Sequence, residues 1–287
     1  MGKASRVKTE LNEVGELVTL IQVLKDVADN KFFTLINQKD RFARFGESFA
    51  DFFRLISFSS VKHLLFSSDV PTVGILIITW EASFLGDLNT KVIRAAMTEK
   101  GKYPNSVLIV VGKKGAAKFG RSTEVVKTFE DIEATGLYQM SLKIKDYLVE
   151  QIMAKRLGKV IAVFPWPKNL SIIKPRTVKL LPCDELIGKQ NEMVSSMERI
   201  ILESEAPEIV GSLANLWVST KIYEMLFDTS IAAAAAQSQQ LENSLKKMNK
   251  DRLQVKLKYR KAKKGDIDKS LREVFTAKMM LEKKGKG

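Results

Sequence analysis

A single cysteine, Cys183, and a single histidine, His63, stand in 287 residues. One cysteine excludes an internal disulfide, and one histidine makes a His/Cys metal centre or a Ser-His-Asp triad a poor bet. Long hydrophobic runs are missing too. The longest, around Val73 to Trp80, is far short of the roughly 20 residues a membrane-spanning helix needs. The opening residues, Met-Gly-Lys-Ala-Ser-Arg-Val-Lys, contain no apolar signal core, which sets the expectation of a soluble chain. They resemble a myristoylation start, but Ser5 falls one position too early for that pattern. Proline is absent after Pro207, so nothing in the last 80 positions forbids a helix.

What is present is globular: 45% hydrophobic and 28% charged residues, enough for one sizeable or two modest domains. The net charge of +14 is unevenly placed, because residues 244–287 hold 16 Lys/Arg against 5 Asp/Glu. A nearly neutral body therefore carries a strongly basic tail. Such a tail implies an acidic partner, whether nucleic acid, an anionic membrane surface or a carboxylate-rich protein, against the plainer reading of a solvated lysine-rich helix face.

Apolar residues recur at helical spacing through Val14, Leu17, Ile21, Leu24, Ala28, Phe32 and Leu35, then Phe42, Phe45, Phe49, Phe52 and Ile56. This predicts one helix over about 4–57, or two with a kink near Gly46, within an N-terminal segment 1–58. The period changes in the segment 59–206. Val73 to Thr79, Ser106 to Val111 and Lys159 to Phe164 are short apolar runs bounded by Gly, Pro or Asn, which is the pattern of buried strands. Helical patterns from about Leu88 to Met97 and Leu137 to Met153 alternate with them, and two further strands are expected at Thr177 to Leu181 and Met197 to Glu203. Alternating strands and helices argue a mostly parallel sheet covered by helices.

From Pro207 a second long helix is expected over 207–287, opened by proline and Glu208 in its first turn. Ala232 to Ala236 form a strongly helix-favouring run whose small side chains allow close backbone approach, and Gly265 weakens the helix locally by about 1 kcal/mol. This helix exceeds the first by on the order of 20 residues, or roughly 30 Å. The first helix cannot bury that overhang. Its apolar residues Ile267, Leu271, Val274, Phe275, Met279 and Leu281 therefore need shelter from another protein. Arg260, Lys261, Lys263 and Lys264 would meet the rim of the same partner.

Other features carry weaker chemistry. Gly115 to Ser122 nearly spells a phosphate-cradling loop with Arg121 at the lysine position, but its first glycine is displaced from the strand end, so a basic loop and helix is the better reading. Cys183 reads as a small buried hydrophobe. His63 has no metal-ligand spacing and reads as structural or surface. Trp80 and Glu81 close the first strand where sheets of this kind can host ligands, but without a glycine fingerprint they read as packing. No catalytic residue, metal or cofactor is expected.

Several stretches together resemble the gamma subunit of F-type ATP synthases. Tyr259 to Val274, Tyr-Arg-Lys-Ala-Lys-Lys-Gly-Asp-Ile-Asp-Lys-Ser-Leu-Arg-Glu-Val, is similar to the family's Tyr-Asn-Lys-x-Arg-Gln run with its following Ile-Thr-x-Glu-Ile. Leu24 to Lys31, Leu-Lys-Asp-Val-Ala-Asp-Asn-Lys, resembles Met-Lys-x-Val-Ala-x-x-Lys. Phe84 to Asn89 looks like the Leu-Cys-Gly-Gly-Leu-Asn turn, Val110 to Gly115 like the Ile-Gly-Lys-Lys-Gly strand end, and Pro207 to Tyr223 like the start of the C-terminal helix. The pieces run in order along nearly the whole chain. Where the family has Ser-Glu-His-x-x-Arg-Met, this chain has Ala232 to Ser238, which marks a divergent member.

The resemblance implies an α/β fold: a long antiparallel coiled coil of N- and C-terminal helices with an inserted Rossmann-like domain. It implies a rotor turning inside a hexamer of alpha and beta subunits, with a c-ring and an epsilon-type small subunit at its foot. It also implies a location peripheral to a membrane, on the cytoplasmic side in bacteria or the matrix side in an organelle. Lys25, Lys31 and Arg272, with the basic residues above, would face beta-subunit carboxylates, and the apolar tip would turn in the hexamer's sleeve. Two other readings compete: a basic coiled coil that binds nucleic acid, and a small-molecule enzyme of the α/β domain. The apolar series Ile267, Leu271, Val274 and Phe275 weighs against the first, since phosphate tracking has no need of it.

Overall fold

The computed structural model describes residues 3–55, 63–119, 124–183 and 206–284, and side chains among these other than 40–55, 206, 207, 210 and 281–284. Two long helices frame an α/β core: α1, Lys3–Leu55, and α5, Ala206–Lys284. Between them lie β1 (Val73–Ile78), α2 (Leu88–Lys100), β2 (Ser106–Val111), α3 (Lys113–Phe119), β3 (Val125–Phe129), α4 (Leu137–Met153), β4 (Lys159–Pro167) and β5 (Ile173–Leu181). Helix α1 is unbroken through Gly46. The expected strand at Met197 to Glu203 lies outside the described residues.

The described residues divide into two compact units, one made of 28–237 and the other of 1–27 with 238–287. In the larger, the five strands run in the order β3-β2-β1-β4-β5. β1 is parallel to β2 and β4, β2 is parallel to β3, and β5 closes the sheet antiparallel to β4. All six residues of β1 are buried, which is why the strand reads as a continuous apolar run rather than an alternation. Its alternate residues serve two faces. Ile75 and Ile77 join Val92 and Ala96 of α2 in one cluster. Leu76 and Ile78 join Ile144, Leu148 and Ile152 of α4, Phe32 of α1 and the Ala214 to Ala236 stretch of α5 in the other. Each of the fully buried aliphatic side chains on α4 contributes roughly 1.5–3 kcal/mol.

Two strands depart from the sequence pattern, one unforeseen and one longer than expected. β3 is an edge strand with only Phe129 buried, so its apolar signal is weak. β5 begins at Ile173, ahead of the expected Thr177, and contains Pro175. Proline is tolerated there because only one side of an edge strand takes part in the ladder.

In the smaller unit α1 and α5 run antiparallel. The Ala4 amide donates to Asp266 Oδ2 at 3.2 Å, and Lys25 Nζ lies 3.6 Å from Glu242 Oε2. The inward positions of α1 are Val14, Val18, Ile21 and Lys25, while Leu17 and Leu24 are 48% and 38% exposed. This corrects the expected phase, in which those two leucines sat on the buried stripe. Lys25 holds an inward place because its long stem can pack while its ammonium reaches Glu242. On α5 the inward series is Leu241, Met248, Val255, Tyr259 and Ala262.

Candidate partner interface

Asp266 joins α5 to the start of α1 through the Ala4 amide. Eighteen further residues, 267–284, continue as helix, which at 1.5 Å per residue is roughly 27 Å. Along them Ile267 and Leu271 are about half exposed, and Val274, Phe275, Met279 and Met280 are 64–67% exposed. At helical spacing, Ile267, Leu271, Val274, Phe275 and Met279 fall on one side, so this is a stripe rather than scattered greasy positions. Leu281 lies where side chains are not described.

The basic residues surround that stripe. Arg260, Lys261, Lys263, Lys264 and Arg272 are all exposed, and none forms an ion pair with another described residue. Lys31 is exposed on α1. Lys25 differs from these, with 20% of its side chain exposed and Glu242 beside it. The structure thus gathers the residues 260–279 on one rod and leaves Lys25 in the inter-helical seam.

A second apolar surface was not anticipated. Leu17, Leu20, Val23, Leu24 and Val27 of α1 are 38–60% exposed, and Leu253 and Leu257 of α5 are 62% and 56% exposed. The signal was available: more apolar residues stand in 17–27 than one buried stripe can use.

The α/β core holds its polar groups for internal purposes. Gly112, at φ +103°, and Gly115 lie against Thr79, where an added Cβ would sit 2.5 and 2.4 Å from Thr79 Oγ1. The glycines of the phosphate-loop-like stretch therefore let α3 approach the end of β1, and Gly120 to Ser122 lie outside the described residues. Glu81 accepts the Lys113 amide at 2.6 Å, and the Lys113 ammonium pairs with Asp131, which raises its pKa. Trp80 is buried and bonded at both its N–H and C=O to the Asn89 side chain. Cys183 is buried, and burial lowers the pKa of His63, whose Nδ1 accepts the Leu65 amide. Among the described residues no cluster of three or more His, Cys, Asp or Glu could hold a metal ion, and no helix is long and apolar enough to cross a membrane.

A long antiparallel helix pair and a helix-covered five-stranded sheet on one chain are a specific combination, and the sequence model of the family described as ATP synthase matches residues 3–279. The chain belongs to the ATP synthase gamma family. It is 25% identical over 290 residues to the ATP synthase gamma chain of Maridesulfovibrio salexigens, spanning 96% of this chain and 97% of that one. The gamma chain of Helicobacter pylori is 24% identical over 214 residues, 72% of this chain and 71% of its own. Among solved structures, a chain of the Euglena gracilis mitochondrial ATP synthase aligns over 97% of this chain and 94% of its own, with TM-score 0.62 at 14% identity. A chain of the Tetrahymena thermophila central stalk and c-ring aligns over 78% of this chain and 99% of its own, with TM-score 0.60 at 15% identity. The gamma-family fold, two long terminal helices around a central mixed sheet, is thus the fold of this chain.

Proposed function

We propose that this chain is the central-stalk rotor of a rotary ATP synthase, a subunit with no catalytic residues of its own. The tip of α5 turns within the apolar sleeve of a hexamer of alpha and beta subunits. The α/β core rests on the c-ring with an epsilon-type small subunit, and the assembly sits at the cytoplasmic face of a bacterial membrane or the matrix face of an organelle's. Rotation of an asymmetric rod then drives the beta subunits through their binding states, which is rigid-body allostery. Lys31, Arg260, Lys261, Lys263, Lys264 and Arg272 face beta-subunit carboxylates. Exposed pairs of this kind stabilise by roughly 0–1 kcal/mol each, so they guide register while the apolar tip supplies affinity. Lys25 reaches such a carboxylate only by leaving Glu242.

One observation carries the reading: a helical end roughly 27 Å long, with large apolar side chains about half to two-thirds exposed, beyond the reach of its own partner helix. Phosphate tracking on nucleic acid has no use for that stripe. The test is Leu271→Asp with Phe275→Asp in the full chain. Circular dichroism and thermal unfolding should match the parent, while affinity for a reconstituted alpha-beta hexamer falls at least tenfold. A variant that unfolds, or one that binds the hexamer as tightly as the parent, overturns the reading.

A further inference from the structure

One stretch of helix α5 within the α/β core is nearly featureless. Ala232 to Ala236 are each between 0 and 7% exposed. Five consecutive residues cover more than a full turn of an α-helix, so α5 is enclosed there on every side. Methyl groups allow the closest approach between backbones, but they offer no ridges to interlock with grooves. Over these five residues packing therefore opposes rotation of α5 about its own axis only weakly, and the larger buried side chains Leu226, Phe227 and Ile231 all precede the run.

Polar contacts stand at both ends of the alanine run. Before it, Asp228 Oδ1 accepts from Lys39 Nζ of α1 at 2.5 Å, with only 11% of the Asp228 side chain exposed. Glu224 on α5 and Arg176 on β5 also bear on that carboxylate. After it, Gln237 Nε2 donates to the Ser83 carbonyl at 3.0 Å. The two positions are nine residues, or about two and a half turns, apart and so point to opposite sides of the helix.

The loop that carries Ser83 is itself held firmly. Asn89 bonds the Trp80 N–H and C=O at 3.1 and 2.9 Å, the Lys113 amide bonds Glu81 at 2.6 Å, and the Lys114 ammonium bonds the Ala82 carbonyl. Phe84 and Gly86 turn the loop at φ 59° and 55°. A loop tied at this many points can transmit a sideways load instead of yielding to it.

We propose that Lys39–Asp228 and Gln237–Ser83 form a two-sided brace that fixes the rotational register of α5 in the α/β core, so that turning the core turns the rod. The proposal rests on the rotor reading above and adds the residues that carry the load. They are positioning residues and touch no substrate.

The test uses the assembled ATP synthase containing the full-length chain, and compares ATP hydrolysis with ions pumped per ATP hydrolysed. In Asp228→Asn with Gln237→Ala, hydrolysis should stay within about twofold of the parent while pumping per ATP falls at least fivefold. A short bis-maleimide bridge between Ser83→Cys and Gln237→Cys, added to the Asp228→Asn background, should restore pumping; Cys183 is buried and so shielded from the reagent. If the double variant does not fold, Gln237→Ala alone decides, since its side chain lies at the surface. Unchanged pumping per ATP in a folded variant overturns the brace. Absence of hydrolysis-linked pumping with the parent chain overturns the rotor reading instead.

Discussion

Two stretches of one helix contrast in how side-chain size and burial go together. Where α5 crosses the α/β core, five consecutive alanines, Ala232 to Ala236, are 0–7% exposed, alongside Ile222, Leu226 and Ile231 at 0%. At its far end the large side chains Val274, Phe275, Met279 and Met280 are 64–67% exposed. A chain selected only to fold would place bulk in the core and methyls on the surface. Close approach along the alanine run requires small residues, whereas among the described residues nothing covers the large side chains of the tip. The same helix is a folded-core element at one level and an exposed apolar stripe at the other.

The sharpest way to break that contrast is to add bulk where there is no room. Ala234 is fully buried, so Ala234→Leu should destabilise by about 3 kcal/mol through overpacking, read from the urea midpoint. Phe275→Ala at the tip removes more atoms yet should move that midpoint by less than about 0.5 kcal/mol. Equal effects at the two sites would mean that the tip packs on the chain after all.

Glycines divide in the same way, with a somewhat smaller effect. An added Cβ at Gly115 would lie 2.4 Å from Thr79 Oγ1 and 2.9 Å from Thr79 Cγ2. Thr79 is itself fully buried and bonded to the Val111 carbonyl. Gly115→Ala should therefore cost about 2 kcal/mol, again read by urea denaturation. A neutral result would show that α3 can lift from the end of β1 without penalty.

The legible parts of the fold were those with strong periodicity or simple length arithmetic. β2 and α4 fall at the expected bounds, because one is a continuous apolar run and the other an amphipathic helix. The exposed tip followed from one helix being longer than the other. The seam was harder: Val14, Leu17, Ile21 and Leu24 make as good a stripe as Val14, Val18, Ile21 and Lys25, and only the Lys25–Glu242 pairing across the helices favours the second. β3 was invisible because an edge strand with one buried residue carries little hydrophobic signal. The alanine run announced close approach, but not that it would be enclosed on all sides. That depends on long-range packing in the core cluster, which no local pattern encodes.

Asp228 offers a subtler probe of the enclosed region. Burial raises its carboxyl above the ordinary value of 3.8, although Lys39 pulls in the opposite direction. A carboxyl with a raised folded pKa holds its proton more tightly folded than unfolded, so its contribution is greatest below 3.8 and is lost as pH rises through the folded value. Asp228→Asn cannot titrate. The stability of the parent relative to this variant should therefore decline as pH rises from about 4 and level off once the carboxylate is ionised, measured by paired urea titrations. A difference that does not vary with pH would place the carboxyl in a solvated setting rather than an enclosed one.

The smallest expected effect lies at the root of the tip. Nothing comes within 4 Å of a Cβ added at Gly265, so Gly265→Ala carries no steric penalty and should gain about 1 kcal/mol of helix propensity. Because the described side chains of 267–280 are largely exposed, that gain should stay local. Amide exchange over 265–280 should slow severalfold while the global urea midpoint hardly moves. A more rigid tip also has less freedom to lose on binding, so affinity for the alpha-beta hexamer should rise by a few fold. If the global midpoint rises with it, the tip and core unfold as one cooperative unit, and the contrast drawn along α5 is one of packing alone and not of independent stability.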